Sequence, residues 1–492
     1  MIKLSDLLPC LPASTTHGPV DVLVGGIACD SRQVRPGSLF VAIPGHAQDG
    51  MRFIADAVNR GAVAVVAEGD TSVLPGVCRV RVADARLALA RLAKAYSGNA
   101  ADALELVGIT GTNGKTTIAY LVRDLLAHAG RQAGLLSTVQ YRIGERTIPA
   151  SRTTPDPVVL HRLLADMRDA GCHSAVMEVS SHALAQKRVE GLDFRVAVFT
   201  NLSRDHLDYH QTMEAYFEAK MLLFAGLGGG GKVATAVLNA DDPWGRRVAE
   251  RLGARPVRLL YGEARDADVA AEGLELTAAG STFVLRTPWG SAPVRIRLLG
   301  RHNVSNALGA AAAGLALGLP LDRVAEALAG AAGAPGRLQE VVSGRGFQVF
   351  VDYAHSDDAL AHVLETVREV TSGRVILVFG CGGDRDTSKR PIMGAVAARL
   401  ADRVVVTSDN PRREDPQAII AQIVAGAPGA GHVEAIVDRR EAIARALSQA
   451  GPGDLVLIAG KGHETFQEFA SRTVAFDDAQ VVRELLADAR TP

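Results

Sequence analysis

The run Gly111-Thr112-Asn113-Gly114-Lys115-Thr116-Thr117 has the residue types needed to hold a nucleoside triphosphate. Glycines let backbone N–H groups face phosphate oxygens, Lys115 neutralises the outer phosphates, and the Thr116 hydroxyl at a helix start can reach Mg2+. The apolar residues 104–109 come before it. Ile118, Leu121, Val122, Leu125 and Leu126 come after it at helical spacing, so the run predicts strand, glycine turn and helix. Ile109 stands where the commoner phosphate loop has its first glycine, which makes this a shortened variant.

Other polar sets sit where apolar runs end. Residues 174–179, with Glu178, lead into Ser180-Ser181-His182, and 196–202 lead into Ser203-Arg204-Asp205-His206-Leu207-Asp208. An acid at a strand end beside a phosphate loop is a natural Mg2+ ligand, with His206 as a second; the same spacing equally lets Asp205 and Asp208 cap a helix from Thr212. Lys220 lies at the edge of that helix, 212–224, and spacing alone predicts that it snorkels to solvent. Asn303 and Asn306 open an alanine-rich helix and can face a base or ribose, or cap the helix. After Ala334-Pro335-Gly336-Arg337, four apolar strands are predicted at 347–351, 375–379, 404–406 and 455–458. They end in Asp352-Tyr353-Ala354-His355, Gly380-Cys381-Gly382-Gly383-Asp384-Arg385, Ser408-Asp409-Asn410-Pro411-Arg412 and Gly460-Lys461-Gly462-His463-Glu464. Helical segments between them imply right-handed crossovers and a parallel sheet, which would gather all four clusters at one carboxyl edge, where open α/β sheets bind ligands.

The elements that must position these residues fall into about three α/β domains, from a prior of about 150 residues per domain. Residues 1–99 read as a small α/β domain with strands at 37–43 and 61–66. Its clusters Cys29-Asp30-Ser31-Arg32 and Gly45-His46-Ala47-Gln48-Asp49-Gly50, taken alone, are turn residues. Residues 100–334 carry the phosphate loop in a mainly parallel sheet with helices, and 335–492 form a Rossmann-like α/β domain. Basic residues number 53 against 54 acids, a formal charge of -1, which gives no field for nucleic acid or an anionic membrane. The 13-residue stretch 307–319 is short and Gly-interrupted, so it reads as a packed helix rather than a span. Five scattered cysteines without C-x-x-C spacing fit a reduced compartment and suggest no zinc site. The start of the chain does not read as a signal peptide. The expectation is a cytoplasmic, monomeric protein without a membrane span.

Taken together, these motifs resemble the Mur ligases, ATP-dependent amide ligases that extend the peptide of the peptidoglycan precursor. The likeness runs through Asp30-Ser31-Arg32, Gly45-His46, 111–117, Thr153-Thr154-Pro155, 177–182, 201–210, Lys220, 303–306, 352–355, 380–385, 409–412 and 460–464. It is strongest to members that add meso-2,6-diaminopimelate to UDP-N-acetylmuramoyl-L-alanyl-D-glutamate. The resemblance implies ATP and Mg2+ as cofactors, an acyl phosphate on the D-glutamate side chain, and attack by the diaminopimelate amine.

It also implies roles for individual residues. Lys115 and the rest of the loop would bind ATP, helped by Asn303, Arg337, Asp352 and His355. Glu178, His206, Thr116 and a carbamate on Lys220 would form the metal site. Ser31, His46, Ala47 and Gln48 would hold the UDP end, and Thr153, Thr154, Ser180, Gln186 and Arg188 would line the muramoyl dipeptide. Arg152 stands where family members often have asparagine. A cation is what separates diaminopimelate from lysine, and Arg412 in Asp409-Asn410-Pro411-Arg412 would meet the extra carboxylate, with Arg385, Gly460 and Glu464 at the amino-acid end. The bland alternative there is an Asn-Pro turn with a solvated arginine. A lysine-adding member and folylpolyglutamate synthetase are the neighbouring readings, and the two clusters before residue 60 count against the latter. A nucleotide switch that ligates nothing leaves the four carboxyl-edge clusters unexplained.

Overall fold

The computed structural model describes residues 1–11, 13–45, 49–70, 76–225, 233–252 and 256–488. The chain divides into two compact units. One is Met1–Ala270 with Thr287–Gly290 and Leu308–Val324; the other is Ala271–Arg286, Ser291–Ala307 and Ala325–Pro492.

The first unit opens with a five-stranded sheet in the order Thr15–His17, Cys78–Arg81, Ala64–Ala67, Ser38–Val41, Gly26–Ala28. Its strands run parallel except at the Thr15–His17 edge. Later in the chain comes a larger sheet in the order Ala133–Leu136, Ser174–Glu178, Glu105–Thr110, Phe194–Phe199, Val233–Asn239, Val257–Gly262, all parallel, with the hairpin Gln140–Ile143 and Arg146–Pro149 added antiparallel at one edge. Glu105–Thr110 is central and buried from Leu106 onward, so it has no polar face and reads as an unbroken apolar run. That placement delivers the phosphate loop to the middle of the sheet's carboxyl edge.

Residues 257–296 carry four strands, Val257–Gly262, Val269–Thr277, Gly280–Thr287 and Gly290–Ile296. The alanine-rich segment forms the helix Arg301–Ala316, whose Ala307 and Ala310 to Ala313 are wholly buried. No helix among the described residues is long and apolar enough to cross a membrane.

The second unit is built on the sheet Gln339–Glu340, Gln348–Asp352, Leu455–Ala459, Val375–Phe379, Arg403–Val406, Val433–Ala435, parallel apart from its first strand. Side chains alternate across it. Leu377 and Phe379 pack with Leu364, Met393 and Ile423 on one face, while Ile376 and Val378 pack with Ile443, Ala446 and Val482 on the other. Each fully buried aliphatic side chain contributes about 1.5–3 kcal/mol, so the two helical layers fix the sheet firmly. The four predicted strands are present and parallel; the short strands Gln339–Glu340 and Val433–Ala435 add to them at the two edges.

Candidate functional site

In the first unit the phosphate loop is clasped from the neighbouring strand end. Thr112 N–H donates to Asn201 O at 2.9 Å, Asn113 N–H to Asn201 Oδ1 at 2.9 Å, and Thr200 Oγ1 to Asn113 O at 2.6 Å. Gly111 has φ +147°, and a Cβ there would lie 1.8 Å from Thr200 Oγ1, so only glycine lets the loop approach that strand. Gly114 precedes the helix Lys115–His128 in left-handed conformation, and the loop glycines, Lys115, Thr116 and Thr117 therefore occupy the expected strand-turn-helix. The Lys115 ammonium donates to Gly111 O at 2.9 Å and Thr112 O at 2.7 Å.

Lys220 corrects the snorkelling expectation. It is 1% exposed, its Nζ donates to the same Gly111 O at 2.7 Å, and it lies 4.4 Å from the Tyr216 ring centre. Burial first, and the nearby Lys115 charge second, hold its pKa well below the ordinary lysine value. The helix Met213–Met221 that carries it is capped by Thr212, whose Oγ1 accepts from Ala215 N–H at 3.1 Å. Asp205 instead accepts from His206 N–H at 2.8 Å, so neither Asp205 nor Asp208 caps that helix.

His206 has a left-handed backbone, φ +53°, and its ring stands edge-on to Tyr216 at 6.1 Å and to His182 at 4.8 Å. Burial lowers its pKa, with Lys115 and Lys220 adding to the effect and Asp205 opposing it. His206 and Lys220 therefore flank one tyrosine beside the loop. Glu178 is buried at the next strand end, where Oε1 accepts from Thr138 N–H at 2.8 Å and Oε2 from Thr138 Oγ1 at 3.2 Å. Among the described residues no three His, Cys, Asp or Glu side chains gather as a metal site. The donors fit Mg2+ only as a partial set, the Glu178 carboxylate and the Thr116 hydroxyl.

The residues expected to line a muramoyl dipeptide are joined to Glu178. Thr138 Oγ1 lies 3.0 Å from Thr153 Oγ1, and Thr154 Oγ1 donates to Glu178 O at 2.8 Å while accepting from Ser180 N–H at 3.0 Å. Arg188 Nη1 donates to Thr154 O at 2.8 Å, and its Nη2 donates to Gln186 Oε1 at 2.7 Å. Burial and the neighbouring Arg152 push the Arg188 guanidinium down from its ordinary value. Ser31 is buried in the turn Ser31–Gln33, which Asp30 caps by accepting from Arg32 N–H at 3.0 Å. His46, Ala47 and Gln48 lie outside the described residues.

In the second unit the four clusters do meet. Gly460 N–H donates to Asp352 O at 3.1 Å, Gly383 N–H to Asn410 O at 2.9 Å, and Asn410 Nδ2 to Glu464 Oε2 at 2.7 Å. A Cβ on Gly383 would lie 1.9 Å from Pro411 O, so glycine admits the 409–412 loop. Arg412 is not solvated: Nε donates to Glu468 Oε2 at 3.0 Å and Nη1 to Gly383 O at 2.8 Å. Asp409 is buried and its pKa is raised by that burial, against the pull of Arg439 and Lys461. Arg385 is exposed beside this loop.

The remaining expected residues occupy the same unit. Asp352 accepts from Leu338 N–H at 2.7 Å and Ala354 N–H at 2.8 Å, and burial raises its pKa. Arg337 lies 4.9 Å over the Tyr353 ring, and His355 Nδ1 sits 2.8 Å from Tyr353 O. Asn303 Nδ2 donates to Leu299 O at 2.9 Å and its Oδ1 accepts from Asn306 Nδ2 at 3.0 Å, so both amides serve the helix start.

Sequence reasoning missed Thr138, Asn201, Tyr216, Lys461 and Glu468. Lys461 had a visible sign, a cation inside the Gly460–Glu464 cluster. It is fully buried, and its Nζ donates to Asn410 Oδ1 at 3.2 Å, Glu464 Oε2 at 3.3 Å and Phe466 O.

Comparison with known proteins covers almost the whole chain. The Mur ligase family, catalytic domain, matches residues 23–97; the Mur ligase middle domain matches 109–314; the Mur ligase glutamate ligase domain matches 336–462. The UDP-N-acetylmuramoyl-L-alanyl-D-glutamate--2,6-diaminopimelate ligase of Geobacter metallireducens is 47% identical over 500 residues, covering 98% of each chain. The ligase of the same name from Geobacillus thermodenitrificans is 47% identical over 493 residues, covering 99% of this chain and 100% of its own. A solved structure of a ligase of that name aligns over 100% of both chains with TM-score 0.73 and 35% identity. Three Mur ligase models along most of the chain and full-length relatives 47% identical show that the chain belongs to the Mur ligase family.

Proposed function

We propose that this chain joins the amine of meso-2,6-diaminopimelate to the side-chain carboxylate of D-glutamate in UDP-N-acetylmuramoyl-L-alanyl-D-glutamate, with ATP converted to ADP and phosphate. This is a cytoplasmic step of peptidoglycan synthesis, carried out by a monomer. Near-full-length likeness to relatives of that name supports the reaction. The observation that carries the amino-acid choice is Arg412, a guanidinium fixed at the carboxyl edge by Glu468 and Gly383. The division at 99/100 and 334/335 into UDP-binding, ATP-binding and amino-acid-binding domains belongs to the same reading.

The chemistry rests on what each residue can do. An acid and an amine condense only after the carboxylate gains a leaving group, so the γ-phosphoryl group passes to the D-glutamate carboxylate and gives an acyl phosphate. Residues 111–117 cradle the triphosphate, and Lys115 leaves its loop carbonyls to meet the outer phosphates. Bound Mg2+ would spread the charge that builds on the phosphoryl oxygens. Thr116, Glu178, His206 and a carbamylated Lys220 would hold it. Burial lowers the Lys220 pKa and so favours its amine form, which would add to the carbon of CO2 and lose a proton, leaving a carbamate anion beside Gly111. Thr153, Thr154, Ser180, Gln186 and Arg188 orient the dipeptide, with Ser31, His46, Ala47 and Gln48 at the UDP end. Asp409, Asn410, Pro411 and Arg412, with Arg385, Gly460 and Glu464, present the amine. Its attack forms a tetrahedral intermediate that expels phosphate.

A competition tests the proposal. Purified protein receives ATP, Mg2+, the UDP-muramoyl dipeptide and equal meso-diaminopimelate and L-lysine, and the product is weighed. A charge-assisted hydrogen bond is worth roughly 1.5–3 kcal/mol, so diaminopimelate should win by about tenfold to about 150-fold. A lysine adduct in comparable yield would overturn the amino-acid choice.

A further inference from the structure

If Arg412 selects the amino acid, something must aim it, and the role of Glu468 rests on that reading of Arg412. Arg412 has a left-handed backbone, φ +51°, uncommon for a residue with a side chain. Its N–H donates to Glu468 O at 2.9 Å, it forms an isolated parallel bridge with Phe469, and its Nε donates to Glu468 Oε2 at 3.0 Å. Glu468 N–H in turn donates to Asn410 Oδ1 at 3.0 Å. Glu468 lies on the strand Phe466–Phe469, paired with Arg472–Ala475, and Lys461 anchors that strand's start through Phe466 O. One residue therefore grips both ends of the Asn410-Pro411-Arg412 turn by its main chain and the guanidinium by its side chain.

We infer that Glu468 is a positioning residue for the amino-acid substrate: by occupying Nε it turns the Nη1–Nη2 edge of Arg412 toward the distal carboxylate of a diamino diacid. Nη1 also donates to Gly383 O, and Nη2 makes no hydrogen bond among the described residues, so the guanidinium keeps donors for an end-on carboxylate. A carboxylate that merely neutralised Arg412 would act in the opposite direction, because its removal would make the site more attractive to an anion. The two roles thus predict opposite signs.

The test uses the full-length enzyme and the variants Glu468→Ala and Glu468→Gln, with KM and kcat measured for meso-diaminopimelate at saturating ATP and UDP-muramoyl dipeptide. Loss of a charged hydrogen bond should raise the diaminopimelate KM about tenfold or more in Glu468→Ala, with kcat within about twofold and the ATP KM unchanged. The glutamine amide oxygen still accepts from Nε, so Glu468→Gln should recover most of the loss. In an Arg412→Ala background the alanine change at 468 should add nothing, a coupling that a general structural defect would not produce. An unchanged or lowered KM in Glu468→Ala, or a fall confined to kcat, overturns the positioning role. A parent enzyme that adds L-lysine as readily as meso-diaminopimelate overturns the substrate reading, and this inference with it.

Discussion

Replacing Lys220 by alanine should silence turnover while leaving ATP binding. The Lys220 ammonium or amine shares Gly111 O with Lys115, whose Nζ stays 2.9 Å from that oxygen, so the carbonyl is not orphaned and the loop keeps its shape. The loss falls on charge. An ordinary lysine at pH 7.5 is amine in only roughly one molecule in a thousand, and each unit of pKa depression raises that fraction about tenfold. Burial, and the Lys115 charge after it, lower the Lys220 pKa well below the ordinary value, which raises the share of amine that CO2 can meet. Removing an electrostatic group that acts on the transferring phosphoryl costs about 10²–10³ in kcat, the expected effect of Lys220→Ala. The assay is ADP release dependent on both co-substrates, run beside calorimetric ATP binding and 13C spectra of the parent under labelled bicarbonate. Added bicarbonate should not rescue the alanine variant, whereas a short carboxylic acid should restore part of the rate. An alanine variant as fast as the parent, or a parent without a labelled carbamate carbon, would refute the reasoning.

Two further outcomes concern stability. Arg439 and Asp478 are both fully buried and joined by two hydrogen bonds of 2.7 Å, so Asp478→Asn leaves an uncompensated guanidinium and should cost about 3–5 kcal/mol in chemical denaturation; a loss below about 1 kcal/mol would contradict it. His161 is 1% exposed, neither ring nitrogen has a hydrogen-bond partner among the described residues, and burial, with the Lys94 charge behind it and Asp102 opposing, lowers its pKa to about 4. The unfolded chain therefore binds a proton that the fold resists. Stability is fully present above about pH 6.5 and falls by about 1.4 kcal/mol per unit as pH drops toward 4. His161→Leu should flatten that slope by one group's share in denaturation measured from pH 4 to 7, and an unchanged slope would count against the burial argument.

Local chemistry is what the chain displays openly. The phosphate loop is legible because glycine, lysine and threonine act within seven residues of one another, and the carboxyl-edge strands because their apolar runs end abruptly in polar clusters. Parallel crossovers then place those clusters together without any knowledge of side-chain contacts. The environment of Lys220 was not legible, since its burial depends on Gly111, 109 residues away in the chain. Thr138 and Glu178 stand 40 residues apart, and Arg412 and Glu468 stand 56 apart; such pairs carry no periodic mark. Thr212 did carry one, a threonine three residues ahead of the amide it caps, yet the nearby aspartates looked the stronger candidates.

The two sites also show why lysine serves in one and arginine in the other. At the phosphate loop two Nζ atoms converge on the single oxygen of Gly111, an arrangement in which two full positive charges repel one another in a partly dry site. Lysine can relieve that repulsion by losing its proton, and the buried member of the pair, Lys220, is the one whose pKa burial first and Lys115 second lower. The half-buried Lys115 then remains to meet phosphate. Arginine has no such exit, and three arginines of the second unit each meet a carboxylate instead: Glu468 for Arg412, Asp478 for Arg439 and Glu414 for Arg390. Arg439 and Arg390 are fully enclosed, which suits a scaffold, whereas Arg412 keeps part of its guanidinium open, which suits a ligand. Among these three paired arginines, it is the exposure of Arg412 that the proposed recognition role requires.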